Sequence, residues 1–369
     1  MKYRFVLAAL GAAGVVHAQS SVNVYGVLDT GLQHLSSSNG TSLTHLMKTG
    51  HVPSRLGFAG TEELGDGLRA GFVLEAPIFV DTGGLPPDGR LFGRQAWVSI
   101  ASARYGELRL GRQFSVMQTA LAQYDPDHFS PFSPALVMQL ANVEQTSLDN
   151  MVSYVSPAVG GLSLQWSATL GEKAPLSPNL ANPQIVGAGT ARNGSAGMLQ
   201  YRRAGFGAVL AYQGGGQNLT AGGKALQRIL TAGANYRFDA FELGSILWRH
   251  RNTLPNGSAP MVTAGALGGA WRIASAVRLN AEVGAAADNG RVYATGAAKA
   301  TGINRYLNVG ADYNLSKRTT AYARAGRVTD RNGGFNGRPI AVSPSGRDGV
   351  AVPANGAVDG LALGLRHAF

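Results

Sequence analysis

Segment after segment of this chain alternates apolar and polar residues with a period of two. Val277-Arg278-Leu279-Asn280-Ala281-Glu282-Val283 alternates strictly. Leu162, Leu164, Trp166, Ala168 and Leu170 share one parity, and Ser163, Gln165, Ser167 and Thr169 share the other. The pattern returns over Leu307–Leu315 and again at Leu361, Leu363 and Leu365. Successive side chains of a strand point to opposite faces, so each segment reads as a strand with one apolar and one polar face. The segments run about 9–13 residues, longer than ordinary globular strands and close to the span of a tilted membrane strand. The polar face carries whole charges at Arg278, Glu282 and Asp312, which suits a wet interior.

The connections alternate in length. Short turns fall near Glu62–Gly67, Ala101–Arg104, Pro157–Gly160, Arg203–Gly205, Asp239–Ala240, Ala274–Ser275 and Leu315–Arg318. Long links fall near 34–51, 79–89, 114–148, 171–193, 214–227, 251–260, 289–300 and 331–357, with Gly214-Gly215-Gly216 read as a loop tip. Seven turns and eight links predict an all-β fold, a sixteen-stranded antiparallel transmembrane β-barrel. Short turns of such barrels lie on the periplasmic side and long loops outside. Tyr154, Tyr201, Phe206, Phe238, Phe241, Trp271, Tyr313 and Phe369 fall near strand ends, as two interfacial aromatic girdles require.

The N-terminus points to export. Lys2 and Arg4 precede an apolar run from Phe5 to Val16, and Val16-His17-Ala18 offers small residues where a signal peptidase reads. That run is too short to cross a bilayer as a helix. The expected organisation is a signal peptide over 1–18 and one barrel domain over 19–369. The chain has no cysteine, so an exported protein of this kind must rely on packing and backbone pairing, which a closed barrel supplies. Its 51 glycines and 14% charged residues suit tight turns and half-apolar strands. Net charge is +11; without Lys2 and Arg4, 30 basic and 21 acidic side chains remain, a net +9. No basic run or nucleic-acid module accompanies that charge, so no nucleic acid is expected as a partner. A basic lumen or contact with anionic lipid fits better.

Several stretches in order resemble the Gram-negative general porins, in the branch typical of β-proteobacteria. They are Ser20–Asp29 (SSVNVYGVLD), Ser54–Gly65 (SRLGFAGTEELG), Leu91–Val98 (LFGRQAWV), Leu110-Gly111-Arg112-Gln113, Tyr154-Val155-Ser156-Pro157, Leu315–Thr319 and the closing Gly364–Phe369. The resemblance implies a homotrimer in the Gram-negative outer membrane, in contact with outer-membrane lipid and lipopolysaccharide. It also implies a third loop folded into the lumen, and a terminal Phe369 that serves as the assembly tag. The implied function is general diffusion of small hydrophilic solutes and inorganic anions through a water-filled pore. Neither a cofactor nor catalysis is implied.

Selectivity of such a pore depends on charges at its narrowest point. Leu56 and Phe58 take the lipid face, so Arg55 faces the lumen; Phe72 and Leu74 do the same, turning Val73 and Glu75 inward. Trp97 is read as setting an outer face, which turns Arg94 inward. Alternation from Leu108 and Leu110 puts Arg112 outside. The cost of a charge in lipid and the frequency of bulges at strand ends place it inward instead. The 114–148 link contains no Lys or Arg but carries Asp125, Asp127 and Glu144. Folded inward, it would set carboxylates opposite an arginine wall. In the resembling family Arg55 and Arg94 match wall arginines, Glu75 a nearby glutamate, and Asp125 or Asp127 the loop carboxylate. Where that family often opens its sixth strand with an arginine, this chain reads Thr146-Ser147-Leu148-Asp149-Asn150, so the expected anion preference is mild. Arg109, Arg69 and Asp29 are expected in a wider vestibule.

Other chemistry finds no footing. The seven histidines lack metal spacing, and no G-x-S-x-G elbow occurs. Ser245 and His250 are five residues apart on one strand and so face oppositely. Two alternatives stand beside a general pore: a substrate-specific porin, or an adhesin acting through the 171–193 and 331–357 loops.

Overall fold

The computed structural model describes residues 21–48, 50–85, 89–127, 132–133, 146–170, 191–218, 224–292, 295–332, 341–342 and 349–369. The signal-peptide expectation at 1–18, Glu144 and most of the 171–193 and 331–357 loops lie outside the described residues. The first half of the barrel comprises β1 (Ser21–Ser37), β2 (Arg55–Gly65), β3 (Leu68–Pro77), β4 (Gln95–Ser102), β5 (Gly106–Phe114), β6 (Ser147–Val155), β7 (Leu162–Thr169) and β8 (Ala191–Arg203). The second half comprises β9 (Phe206–Asn218), β10 (Lys224–Phe238), β11 (Phe241–Thr253), β12 (Met261–Arg272), β13 (Val277–Asp288), β14 (Ile303–Asn314), β15 (Thr319–Arg331) and β16 (Ala357–Ala368). Each pairs antiparallel with its sequence neighbours. β16 then pairs with β1 from Val27↔Ala368 to Ser37↔Val358, closing sixteen strands into a ring. Gly26 and Phe369 exchange both backbone hydrogen bonds at 3.1 Å, and a side chain at Gly26 would overlap the Phe369 ring. Closure leaves no unpaired edge, the condition for a sheet in lipid. No helix among the described residues is long and apolar enough to cross a membrane.

All seven short turns fall where the alternation breaks. Asp66-Gly67 joins β2 to β3 with both residues at positive φ (51° and 74°), and Ala204-Gly205 joins β8 to β9 likewise (47° and 82°). Such type I′ turns match the strands' right-handed twist. Two links differ from expectation. β1 continues to Ser37, and Ser42–Leu46 folds back on it as a short extra strand, paired from Leu32↔Leu46 to Ser36↔Ser42. Gly214–Gly216 is no loop tip: it lies within β9, where the ladder to β8 shifts register between Gly214 and Gly216. A Cβ at Gly215 would sit 3.2 Å from the Gly194 Cα, so the missing side chain permits the close approach.

The alternation sorts side chains as the sequence predicts. Leu243, Leu247, Leu267, Leu307 and Leu363 are exposed on the outer face, while Ile246, Trp248 and Ala362 are buried inside. The named aromatics gather at one edge, the short-turn edge, rather than at two. There Tyr236, Phe238, Phe241 and Trp271 form a continuous stack with centroid spacings of 5.5, 5.5 and 5.6 Å. A ring at that depth keeps an apolar body in lipid and a polar edge near water.

The interior is partly filled. After β5 the chain enters the barrel as helix α1 (Val116–Tyr124), capped by Ser115, whose Oγ accepts from the Gln118 amide at 3.1 Å. Its Val116, Met117, Leu121 and Tyr124 belong to one buried cluster with Val209, Ile229, Ile246 and Trp248 of the wall. The Trp248 indole donates to the Met117 sulfur at 3.1 Å, and the Tyr124 hydroxyl donates to the Ala208 carbonyl at 3.1 Å. The described part of the third loop thus lies in the lumen.

Candidate functional site

On the opposite wall, three side chains meet around one carboxylate. Register aligns Tyr25 with Gly57, Gly57 with Glu75, and Glu75 with Gln95 across β1 to β4. A Cβ at Gly57 would overlap the Tyr25 ring, so the glycine lets that ring lie flat across the row. The Tyr25 hydroxyl reaches Glu75 Oε2 at 3.0 Å. Arg94 Nε donates to Glu75 Oε1 at 2.6 Å, and Arg55 Nε lies 3.6 Å from Glu75 Oε2. Glu75 keeps only 5% of its side-chain surface, whereas Arg55 keeps 27% and Arg94 19%. Water therefore meets the guanidiniums and hardly meets the carboxylate. Two cations on one anion leave the cluster at +1. Arg94 also stands over the Phe114 ring, 5.0 Å from its centroid, which fixes its orientation.

Three expected site residues belong elsewhere. Trp97 faces the lumen, not the outer side: it pairs with Val73, and Arg109 stacks on it at 4.9 Å. Val98 and Ile100 are the lipid-facing residues of β4, at 57% and 56% exposure. Arg94 reaches the lumen because it precedes the strand and folds back onto Glu75.

Arg112 is not brought to the wall cluster. It pairs with Ala96, on the row that also carries Val98, Leu108 and Leu110. A bulge between Gly111 and Gln113 lets its side chain bond the Gly93 carbonyl at 2.7 Å and Asp149 at 2.6 Å. Arg90 clasps the same Asp149 through both oxygens at 2.8 Å. Asp149, near the start of the sixth strand, thus satisfies two arginines.

Asp125 and Asp127 do not face Arg55 and Arg94 across water. Both are 1% exposed, and Asp127 is seated against Asn308 and Arg324 of β14 and β15. Asp125 accepts the Ser133 hydroxyl at 2.9 Å. Asp127 accepts from Asn308 at 2.5 Å and pairs with Arg324 Nε at 3.2 Å. Arg324 is itself fully buried, with Nη2 on Asp312 at 2.8 Å and against His51 Nδ1 at 2.8 Å. Asp127 is therefore an anchor, its charge met by Arg324 of the wall, while Asp125 is held by Ser133 within the loop. The expected transverse field does not arise from these two groups.

Arg324 was missed as a site residue, although Thr320, Tyr322 and Arg324 share the inward parity of β15. Asp29 is buried rather than in a vestibule. It accepts the Tyr322 hydroxyl at 2.7 Å and the Val52 amide at 2.8 Å, tying the descending first link to β15. Arg109 stays on the lumen side with Glu107 at 2.6 Å, and Arg69 shares a lumen row with Ala101. Among the described residues no group of three or more acidic or histidine side chains is arranged to hold a metal ion.

Comparison with known proteins agrees with this architecture. The profile of the family described as Gram-negative porin matches residues 5–333. Outer membrane porin protein 32 of Delftia acidovorans is 30% identical over 378 residues, covering 100% of this chain and 99% of its own. An outer-membrane porin of Bordetella pertussis is 30% identical over 367 residues, covering 88% and 93%. Among solved structures, an anion-selective porin from Comamonas acidovorans superposes with a TM-score of 0.80 at 24% identity, over 95% of this chain and all of that one. OmpT of Vibrio cholerae superposes with a TM-score of 0.66 at 12% identity, over 95% and 98%.

Proposed function

The chain belongs to the Gram-negative porin family, and from that premise we propose that it is a general diffusion pore of the outer membrane, passing small hydrophilic solutes and ions with a mild preference for anions. One observation carries the preference. The wall cluster exposes Arg55 and Arg94 and hides Glu75, while Asp127 and Asp125 of the third loop are buried against Arg324 and Ser133. The charge offered to water at this level is net positive. A field of that sign raises the local concentration of anions and lowers that of cations.

Reconstitution in a planar bilayer under a salt gradient tests both parts. Stepwise conductance supports the pore, and its absence overturns it. A zero-current potential of anionic sign supports the preference, and one of cationic sign overturns it. Current that saturates and is blocked by one solute would instead favour a substrate-specific channel.

The expected assembly is a homotrimer. The outer face of β1 to β5 carries a groove lined by Val22, Gly60, Phe72, Val98, Ile100 and Leu110. Small residues there leave a concave apolar surface that suits a second copy. The mass of the detergent-solubilised protein decides this.

A further inference from the structure

At the short-turn end of the lumen, beside the last turn of α1, lies a cavity of about 530 Å³. Gln123, Arg202, Gly207, Asn235, Arg237 and Glu242 line it. Register explains its shape. Arg202 of β8, Gly207 of β9 and Asn235 of β10 form one inward row, and Arg237 lies one inward step nearer the turn. Gly207 leaves the middle of that row empty: a Cβ there would stand 2.4 Å from Asn235 Oδ1. Two arginines thus flank a notch two strand spacings wide, about 10 Å. Guanidiniums on such long stems can converge on one head group within it.

The charges around the notch do not balance. Arg202 Nη2 donates to the neutral Gln123 Oε1 at 2.8 Å, and among the described residues Arg202 has no carboxylate in ion-pair range. Glu242 serves Arg237 at 3.2 Å and Arg278 of β13 at 3.6 Å, one carboxylate for two cations. These three arginines and one glutamate leave a net +2. Arg272 and Asp239, close to the same glutamate, cancel each other. The Arg237 side chain is 66% exposed, so the surplus faces water. Asn235 Nδ2 donates to the Gln123 carbonyl at 3.3 Å, so that helix-end oxygen is already answered and does not repel an anion.

We propose that this cavity binds phosphate monoesters of small hydroxylated compounds on their way through the pore. The proposal rests on reading the chain as a diffusion pore, and it names a solute class for that pore. A phosphate monoester carries close to two negative charges at neutral pH and three terminal oxygens. The two oxygens of a carboxylate fill one guanidinium fork, whereas three phosphate oxygens serve two. The volume suits a small organic ligand rather than a bare phosphate. The amides of Gln123 and Asn235 stand ready for hydroxyl groups.

The test titrates detergent-purified full-length protein with glucose 6-phosphate by calorimetry. Wild type should bind it, and Arg202→Gln with Arg237→Gln should weaken binding at least tenfold. Arg55→Gln with Arg94→Gln should change it less than twofold. The reverse ranking would put the ligand at the wall cluster and overturn the site. Glucose, glucuronate and inorganic phosphate should each bind wild type at least tenfold more weakly. Equal binding of glucuronate overturns the choice of phosphate, and equal binding of inorganic phosphate overturns the organic ligand. If the double variant does not fold, Asn235→Asp, which puts a carboxylate into the notch, should cause the same loss; undiminished binding by it overturns the site. Stepwise conductance of the same wild-type sample judges the pore separately. Binding without conductance sinks the pore reading alone, and conductance without binding sinks this site alone.

Discussion

Asp127 of the third loop and Arg324 of β15 form an ion pair at 3.2 Å with both side chains almost wholly withdrawn from water. Arg324 is also held by Asp312 at 2.8 Å, so one guanidinium serves two carboxylates. The arrangement fixes the loop against the wall at a defined height. Removing one partner of a buried pair strands the other charge, at a cost of about 3–5 kcal/mol.

Arg324→Leu should therefore release the third loop without opening the barrel, because it leaves Asp127 and Asp312 both unanswered. Asp127→Asn should act more weakly, since Asp312 still balances Arg324. Limited proteolysis of the loop and open-channel current noise report the change. Both should rise in the order wild type, Asp127→Asn, Arg324→Leu; unchanged cleavage and noise in Arg324→Leu would remove the anchor role.

Arg55→Glu together with Arg94→Glu takes the wall cluster from +1 to −3 and should move the zero-current potential toward cations. Glu75→Gln takes it to +2 and should move the potential the other way by less. Opposite signs of shift are the signature sought. Two shifts of one sign would show that this cluster does not govern the ions.

Gly26→Val should impair closure, because the new side chain would occupy the space of the Phe369 ring. The expected result is less heat-modifiable barrel on a gel and more chain in unfolded form. Pairing Gly26→Val with Phe369→Ala should restore part of the yield, since the small residue vacates the contested space. No recovery in the pair would place the defect elsewhere.

Trp271→Ala removes one end of the aromatic stack on Phe241, whose planes lie 10° apart. Stacked pairs contribute about 0.5–1.5 kcal/mol beyond the area they bury. Unfolding by urea in lipid vesicles should shift to lower concentration, while conductance stays the same.

The barrel was legible because its signals are local. A period of two needs only adjacent residues, and Asp66-Gly67 marks its own turn. Side-chain direction was legible where alternation alone decides, as at Arg55 and Glu75. It failed where distant partners decide. Trp97 reads as lipid-facing by its apolar ring, yet register with Val73 and the stacked Arg109 put it inside. Gly214–Gly216 reads as a loop until Gly194 is known to lie against it. The direction taken by Asp127 depends on an arginine 197 positions away, which no window of sequence contains.

The third loop meets the wall through side chains of α1, Asp127 and Phe132, whereas the strands are held in register by their own backbones. Frame and filter are thus separately heritable. A lineage can lengthen, recharge or replace the tethered segment without renegotiating the pairing of a single strand. Adaptation to a new mixture of solutes then requires changes in few codons, and the same cylinder can persist through many changes of diet.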